Sequence, residues 1–260
     1  MSKAYYYGLL NNSMLSLSIR YRLQEVNMIF SIVLMSVSVV LIIWYVISKS
    51  QKYDIKELFI KTVISFLFIV VALVSSYSSG QFSIFNLLVL LGLSLGLIGD
   101  ILLDLKYVDK ERTVGYTYGG FIAFGIGHIL YITALCITFY KGNILFIILP
   151  IVIDIILSII TILMEKPLKI KYGRYKIISF IYALMLFGTC MFSLFLAIGA
   201  SFQIVPLNLF FIASVLFAIS DLVLSGTFFG ENKERPVDFI LNYSTYYSAQ
   251  FLIAFLLIFM

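Results

Sequence analysis

Asp100 and Asp104 stand four residues apart in the apolar stretch LGLSLGLIGDILLDL, residues 91–105, and Asp221 stands in a second one, LFAISDLVLSG. At 3.6 residues per turn the first two project from one helix face, about 6 Å apart along the axis. An ionised Asp near the middle of a bilayer costs roughly 2.5–3.5 kcal/mol, whereas each Leu or Ile returns only about 0.3–0.6. Carboxyls kept at that cost can move protons, hold a cation or act as acid and base. The bland alternative is that they sit near a helix end and reach interfacial water, which suits Asp104 better than Asp100 because it lies one turn nearer the end.

The elements that position these acids follow from composition. Of 260 residues, 62% are hydrophobic and 12% charged, which excludes a soluble globular domain. The formal net charge of +5 does not point to nucleic acid, because Lys and Arg fall in short gaps between apolar runs instead of forming a patch. Cys136 and Cys190 both lie inside apolar runs and read as small core residues. Residues 1–26 carry Tyr5, Tyr6, Tyr7, Arg20 and Arg22 among short apolar pieces, lack a signal-peptide pattern and read as an interfacial lead-in.

Residues 27–260 then hold eight segments long enough to cross a core of about 30 Å, at 27–48, 59–79, 84–105, 114–139, 144–164, 176–199, 206–228 and 239–259. Backbone satisfaction in lipid makes this an all-α polytopic membrane bundle. Thirteen Lys and Arg residues lie in the gaps after segments one, three, five and seven, against four on the other side. The positive-inside rule puts those gaps in the cytoplasm and both termini outside it, as for a multi-pass protein of the cell membrane.

With that topology Asp100 and Asp221 share one depth in the cytoplasmic half, with Lys61, Tyr182, Tyr246 and Tyr247 near them. His128, Tyr131 and Gln250 lie deeper and would floor the same cavity. Taken singly, Lys61 can snorkel, the tyrosines can be belt aromatics and a lone His is commonly a hydrogen-bonded core residue; their common depth is the stronger evidence. Asp154 on segment five matches that level less well and suits a helix-packing or gating role and a site role equally. A shift of 121 residues carries Asp100 onto Asp221 and Lys61 onto Tyr182, which suggests a parallel 4+4 repeat about an axis along the membrane normal.

The residues that carry a family resemblance are Lys61, Gly99-Asp100, Phe124 with Gly127-His128-Ile129-Leu130-Tyr131, Tyr182, Ser220-Asp221-Leu222-Val223-Leu224, and Tyr246-Tyr247-Ser248-Ala249-Gln250. In their order and spacing the chain resembles the YhhN family of lysoplasmalogenase-like multi-pass membrane hydrolases. Thr62 stands where a proline is expected after the lysine, and the first 26 residues read as an extension. The resemblance implies hydrolysis of the vinyl ether bond of lysoplasmalogens to a fatty aldehyde and a glycerophospho-base. Protonation of the alkene carbon gives an oxocarbenium-like state that water then attacks, and glycosidases handle a related cation with two carboxyl groups. Asp100 and Asp221 are the expected catalytic pair. Lys61 is expected at the substrate phosphate, with His128, Tyr131, Tyr182, Tyr246, Tyr247 and Gln250 binding substrate and water, and Asp104 as an accessory acid. No cofactor and no metal are expected; the partners are a lysophospholipid and the bilayer.

Two other readings of the same residues stay open. A proton-coupled transporter also needs buried acids, a Lys and a His between two parallel halves. A membrane metallohydrolase would use Asp100, Asp104, Asp221 and His128, although zinc sites usually offer more His or Cys.

Overall fold

The computed structural model describes residues 3–48, 55–77, 82–230 and 235–260, with side chains described from residue 22 onward in the first of these ranges. Lys49, Lys52 and Lys233, which entered the topology argument, lie outside the described residues. The described residues form eight α-helices: α1 (Lys3–Ser48), α2 (Ile55–Ser76), α3 (Ile84–Val108), α4 (Thr113–Phe139), α5 (Leu145–Leu163), α6 (Lys176–Gly199), α7 (Val205–Phe229) and α8 (Pro236–Phe255). A 3-10 turn, Leu256–Phe259, continues α8. Local chemistry sets several ends. The Ser83 hydroxyl caps α3 by accepting the Asn86 amide at 3.1 Å, and Pro206 and Pro236 open α7 and α8, where a missing N–H costs nothing.

Seven of these helices are long and apolar enough to cross a membrane, and the protein is a multi-pass membrane bundle. The eighth, α8, falls short in apolarity because its middle reads Asn242, Tyr243, Ser244, Thr245, Tyr246, Tyr247 and Ser248. The large polar side chains turn inward: Asn242, Tyr243, Tyr246, Tyr247 and Gln250 are buried, while Ser244 and Ser248 are exposed. A helix that faces its neighbours can afford polar groups that lipid would reject. At its other extreme, α1 is a single helix of 46 residues, so the expected lead-in and the first span share one unbroken rod of about 69 Å.

The repeat is visible in the helices themselves. α3 and α7 are each 25 residues long, begin and end 121 residues apart, and place Asp100 and Asp221 at the same position along their lengths. Neighbour relations repeat as well. Within each half, α1 packs on α2, α2 on α3 and α3 on α4, as α5 does on α6, α6 on α7 and α7 on α8. Between halves, α4 packs on α6 and α2 on α8, which are equivalent contacts under the same shift.

Close approach of α3 and α4 depends on missing side chains. A Cβ at Gly99 would lie 2.5 Å from Cε2 of Phe124, one at Gly120 would lie 2.5 Å from Cδ2 of Leu103, and one at Gly92 would overlap the Tyr131 ring. Small residues let backbones approach where lipid supplies no hydrophobic drive. Gly99→Leu should therefore force the Phe124 ring off its seat and destabilise the bundle by roughly 1–3 kcal/mol or more, read as thermal unfolding in detergent. Unchanged unfolding would mean that the α3–α4 packing is looser than described.

Candidate functional site

On the first half, α2 and α3 meet through charge. Lys61, in the second turn of α2, places its ammonium 2.9 Å from Asp104 Oδ1 and 3.5 Å from Asp100 Oδ1. One ammonium reaches both because the two acids lie one turn apart on one face of α3. Asp100 and Asp104 are 4% and 3% exposed, so the interfacial alternative for Asp104 gives way to a buried ion triad. Lys61, expected at a phosphate, has carboxylates as its partners.

Asp100 is held further. Ser65, one turn beyond Lys61 on the same face of α2, and Tyr246 on α8 both donate to Asp100 Oδ2, each at 2.6 Å. Gln250 Nε2 donates to the Tyr246 oxygen at 3.0 Å, and Tyr247 OH donates to the Lys61 carbonyl at 3.5 Å. Gln250 fits because α3 offers Gly96 there, where a Cβ would stand 2.8 Å from its amide nitrogen. Two hydroxyl donors on one oxygen, with a cation on the other, are the surroundings of a carboxylate anion.

The second half repeats the arrangement with a weaker partner. Tyr182 on α6, in the place that Lys61 holds on α2, donates a short hydrogen bond to Asp221 on α7. Asp221 is half-buried. Aromatic rings join the two clusters. Phe217 stands 5.4 Å from Tyr246 and 4.8 Å from the His128 imidazole, and His128 stands 5.9 Å from Tyr182, between ring centroids. His128 Nδ1 lies 3.0 Å from Thr189 Oγ1 on α6.

Not every expected residue joins the polar cluster. The Tyr131 ring packs on Phe210 at 5.6 Å and on His128 at 5.8 Å, over Gly92, as part of the wall behind the imidazole. Asp154 stays on α5, where it accepts from Ser158 at 3.3 Å and faces α6 at Gly188. Conversely, Ser65 and Thr189 were absent from the sequence reading, as was Tyr243, whose ring centroid lies 5.5 Å from the Lys61 ammonium and whose hydroxyl is 3.4 Å from that of Tyr45. The one signal available for Ser65 was its i+4 spacing from Lys61. Among the described residues, no group of three His, Cys, Asp or Glu side chains is placed to hold a metal ion.

No curated protein and no solved structure matches this sequence. A family model does, that of the YhhN family, over residues 56–257. That range takes in most of the chain and both halves of the site, from Lys61 to Gln250, and leaves all of α1 outside. The chain belongs to the YhhN family.

Proposed function

We propose that the protein is an integral-membrane hydrolase that cleaves the vinyl ether bond of lysoplasmalogens with Asp100 and Asp221. The observation that carries this reading is the contrast between two equivalent acids. Asp100 is saturated with donors and stands beside a cation, whereas Asp221 has a single phenol for a partner among the described residues. Asp221 is then the acid and Asp100 the anion.

In the first step Asp221 gives its proton to the alkene carbon, and the positive charge that develops on the ether carbon and oxygen is stabilised by the Asp100 carboxylate. Water adds to the cation and loses a proton back to Asp221, giving a hemiacetal. Its collapse breaks the carbon–oxygen bond and releases the fatty aldehyde and the glycerophospho-alcohol. Only water is consumed. Lys61 keeps Asp100 ionised, and Ser65 and Tyr246 fix its orientation. The alkenyl chain lies among the apolar side chains of the bundle. In the proposed orientation the site opens toward the cytoplasmic leaflet and both termini face the other side.

Incubation of the purified protein with a lysoplasmenylethanolamine and with its saturated ether analogue tests the assignment. Aldehyde should appear from the first only. Activity should also survive EDTA, since no step needs a metal; loss in EDTA with recovery on adding zinc would favour the metallohydrolase. The repeated helix neighbours of the two halves also suit a proton-coupled transporter, and that reading predicts acid-driven flux in proteoliposomes without aldehyde release.

A further inference from the structure

We propose that Thr189 holds His128 in the tautomer with its proton on Nδ1, and that the bare Nε2 is thereby left as an acceptor for an O–H group. The acceptor's partner is either water or a free hydroxyl of the bound lipid; the lipid case rests on the function proposed above. His128 is 2% exposed, and among the described residues its Nε2 has no hydrogen-bond partner. The ring is enclosed by Tyr131, Tyr182 and Phe217, of which Tyr182 binds Asp221. A buried imidazole nitrogen without a partner, beside a catalytic acid's own partner, is a place where a ligand atom completes the set.

The tautomer follows from counting donors. The Thr189 hydroxyl has one proton, and Met185 O lies 3.0 Å from it in the back-bonding position common for helical threonines. With that proton on Met185 O, Thr189 Oγ1 accepts from Nδ1–H at 3.0 Å, two bonds are made and the orphan is an acceptor. In the other tautomer Thr189 must turn its proton to Nδ1, one bond is made and the orphan is a buried N–H. Buried orphan donors are rarer than orphan acceptors, so the first arrangement is preferred.

The chain contains a single histidine, so labelling histidine with nitrogen-15 reports on His128 alone. In the resting protein the spectrum should show a protonated Nδ1 and an unprotonated Nε2. A protonated Nε2 with bare Nδ1 overturns the proposal. A saturated 1-alkyl lysophospholipid with a free 2-hydroxyl should shift the Nε2 resonance toward its hydrogen-bonded position. If the 2-methoxy analogue shifts it equally, water is the donor; if only the free hydroxyl does, the lipid is. If the resonance already stands at that position in the resting protein, water is the donor; if it stands away from it in the resting protein and with both lipids, the acceptor role is overturned. Thr189→Val should mix the two tautomers in the spectrum and lower kcat/KM about tenfold, the worth of one buried hydrogen bond, while Thr189→Ser should restore both. A pure Nδ1–H spectrum in Thr189→Val would show that Thr189 is not the positioning residue. Failure of wild-type protein to release aldehyde would remove the hydrolase reading and leave the resting tautomer spectrum unchanged.

Discussion

Replacing Asp100 or Asp221 by Asn is expected to lower turnover by roughly 10²–10⁴-fold or more, the range that a general acid or base supplies, while leaving the protein folded. Asn keeps the size of the side chain and most of its hydrogen bonding. At position 100 the Lys61 ammonium retains Asp104 at 2.9 Å, so no buried charge is stranded. Asp221 has no cation among the described residues to strand, only the Tyr182 hydroxyl, which can turn to serve an amide. A neutral amide is also cheaper to bury than a carboxylate, so thermal stability should hold or rise. Binding of the lysolipid should survive in both variants because burial of its chain is untouched. Folded, lipid-binding Asp100→Asn and Asp221→Asn proteins that released aldehyde at near wild-type rates would show that these acids are not the catalysts.

Lys61→Met should instead unfold much of the site. It leaves Asp100 and Asp104 facing each other one turn apart, both buried, with their cation gone. Stranding buried charge in this way costs roughly 3–5 kcal/mol, and thermal unfolding in detergent should fall accordingly. The neutral variant Lys61→Met, Asp100→Asn, Asp104→Asn should regain most of that stability, since the whole triad then changes together, but it should have no activity. Asp104→Asn alone leaves Lys61 with Asp100, so, as in Asp100→Asn, no buried charge is stranded and thermal stability should hold. Wild-type stability in Lys61→Met would show that the triad does not hold α2 to α3.

The sequence by itself determined the helices. Apolar length in the spans and Lys and Arg in the gaps mark membrane crossings, and α6, predicted at 176–199, runs Lys176–Gly199. It also determined the repeat, because Asp100 and Asp221 recur with Lys61 and Tyr182 at a shift of 121 residues. Only the tertiary structure decided which way each helix turns. In lipid a helix is apolar on every side, so its periodicity does not say which face is inward. The partnership of Lys61 with Asp104, and of Ser65 with Asp100, depends on that rotation. A lone Ser or Thr in an apolar helix usually bonds its own backbone, as Thr62 does to Leu58, so Ser65 and Thr189 could not be told from it. The polarity of α8 posed the opposite problem. Its hydroxyls and amides weaken it as a lipid-facing span, and packing against α2 and α7 is what makes that same polarity the inner wall of the site.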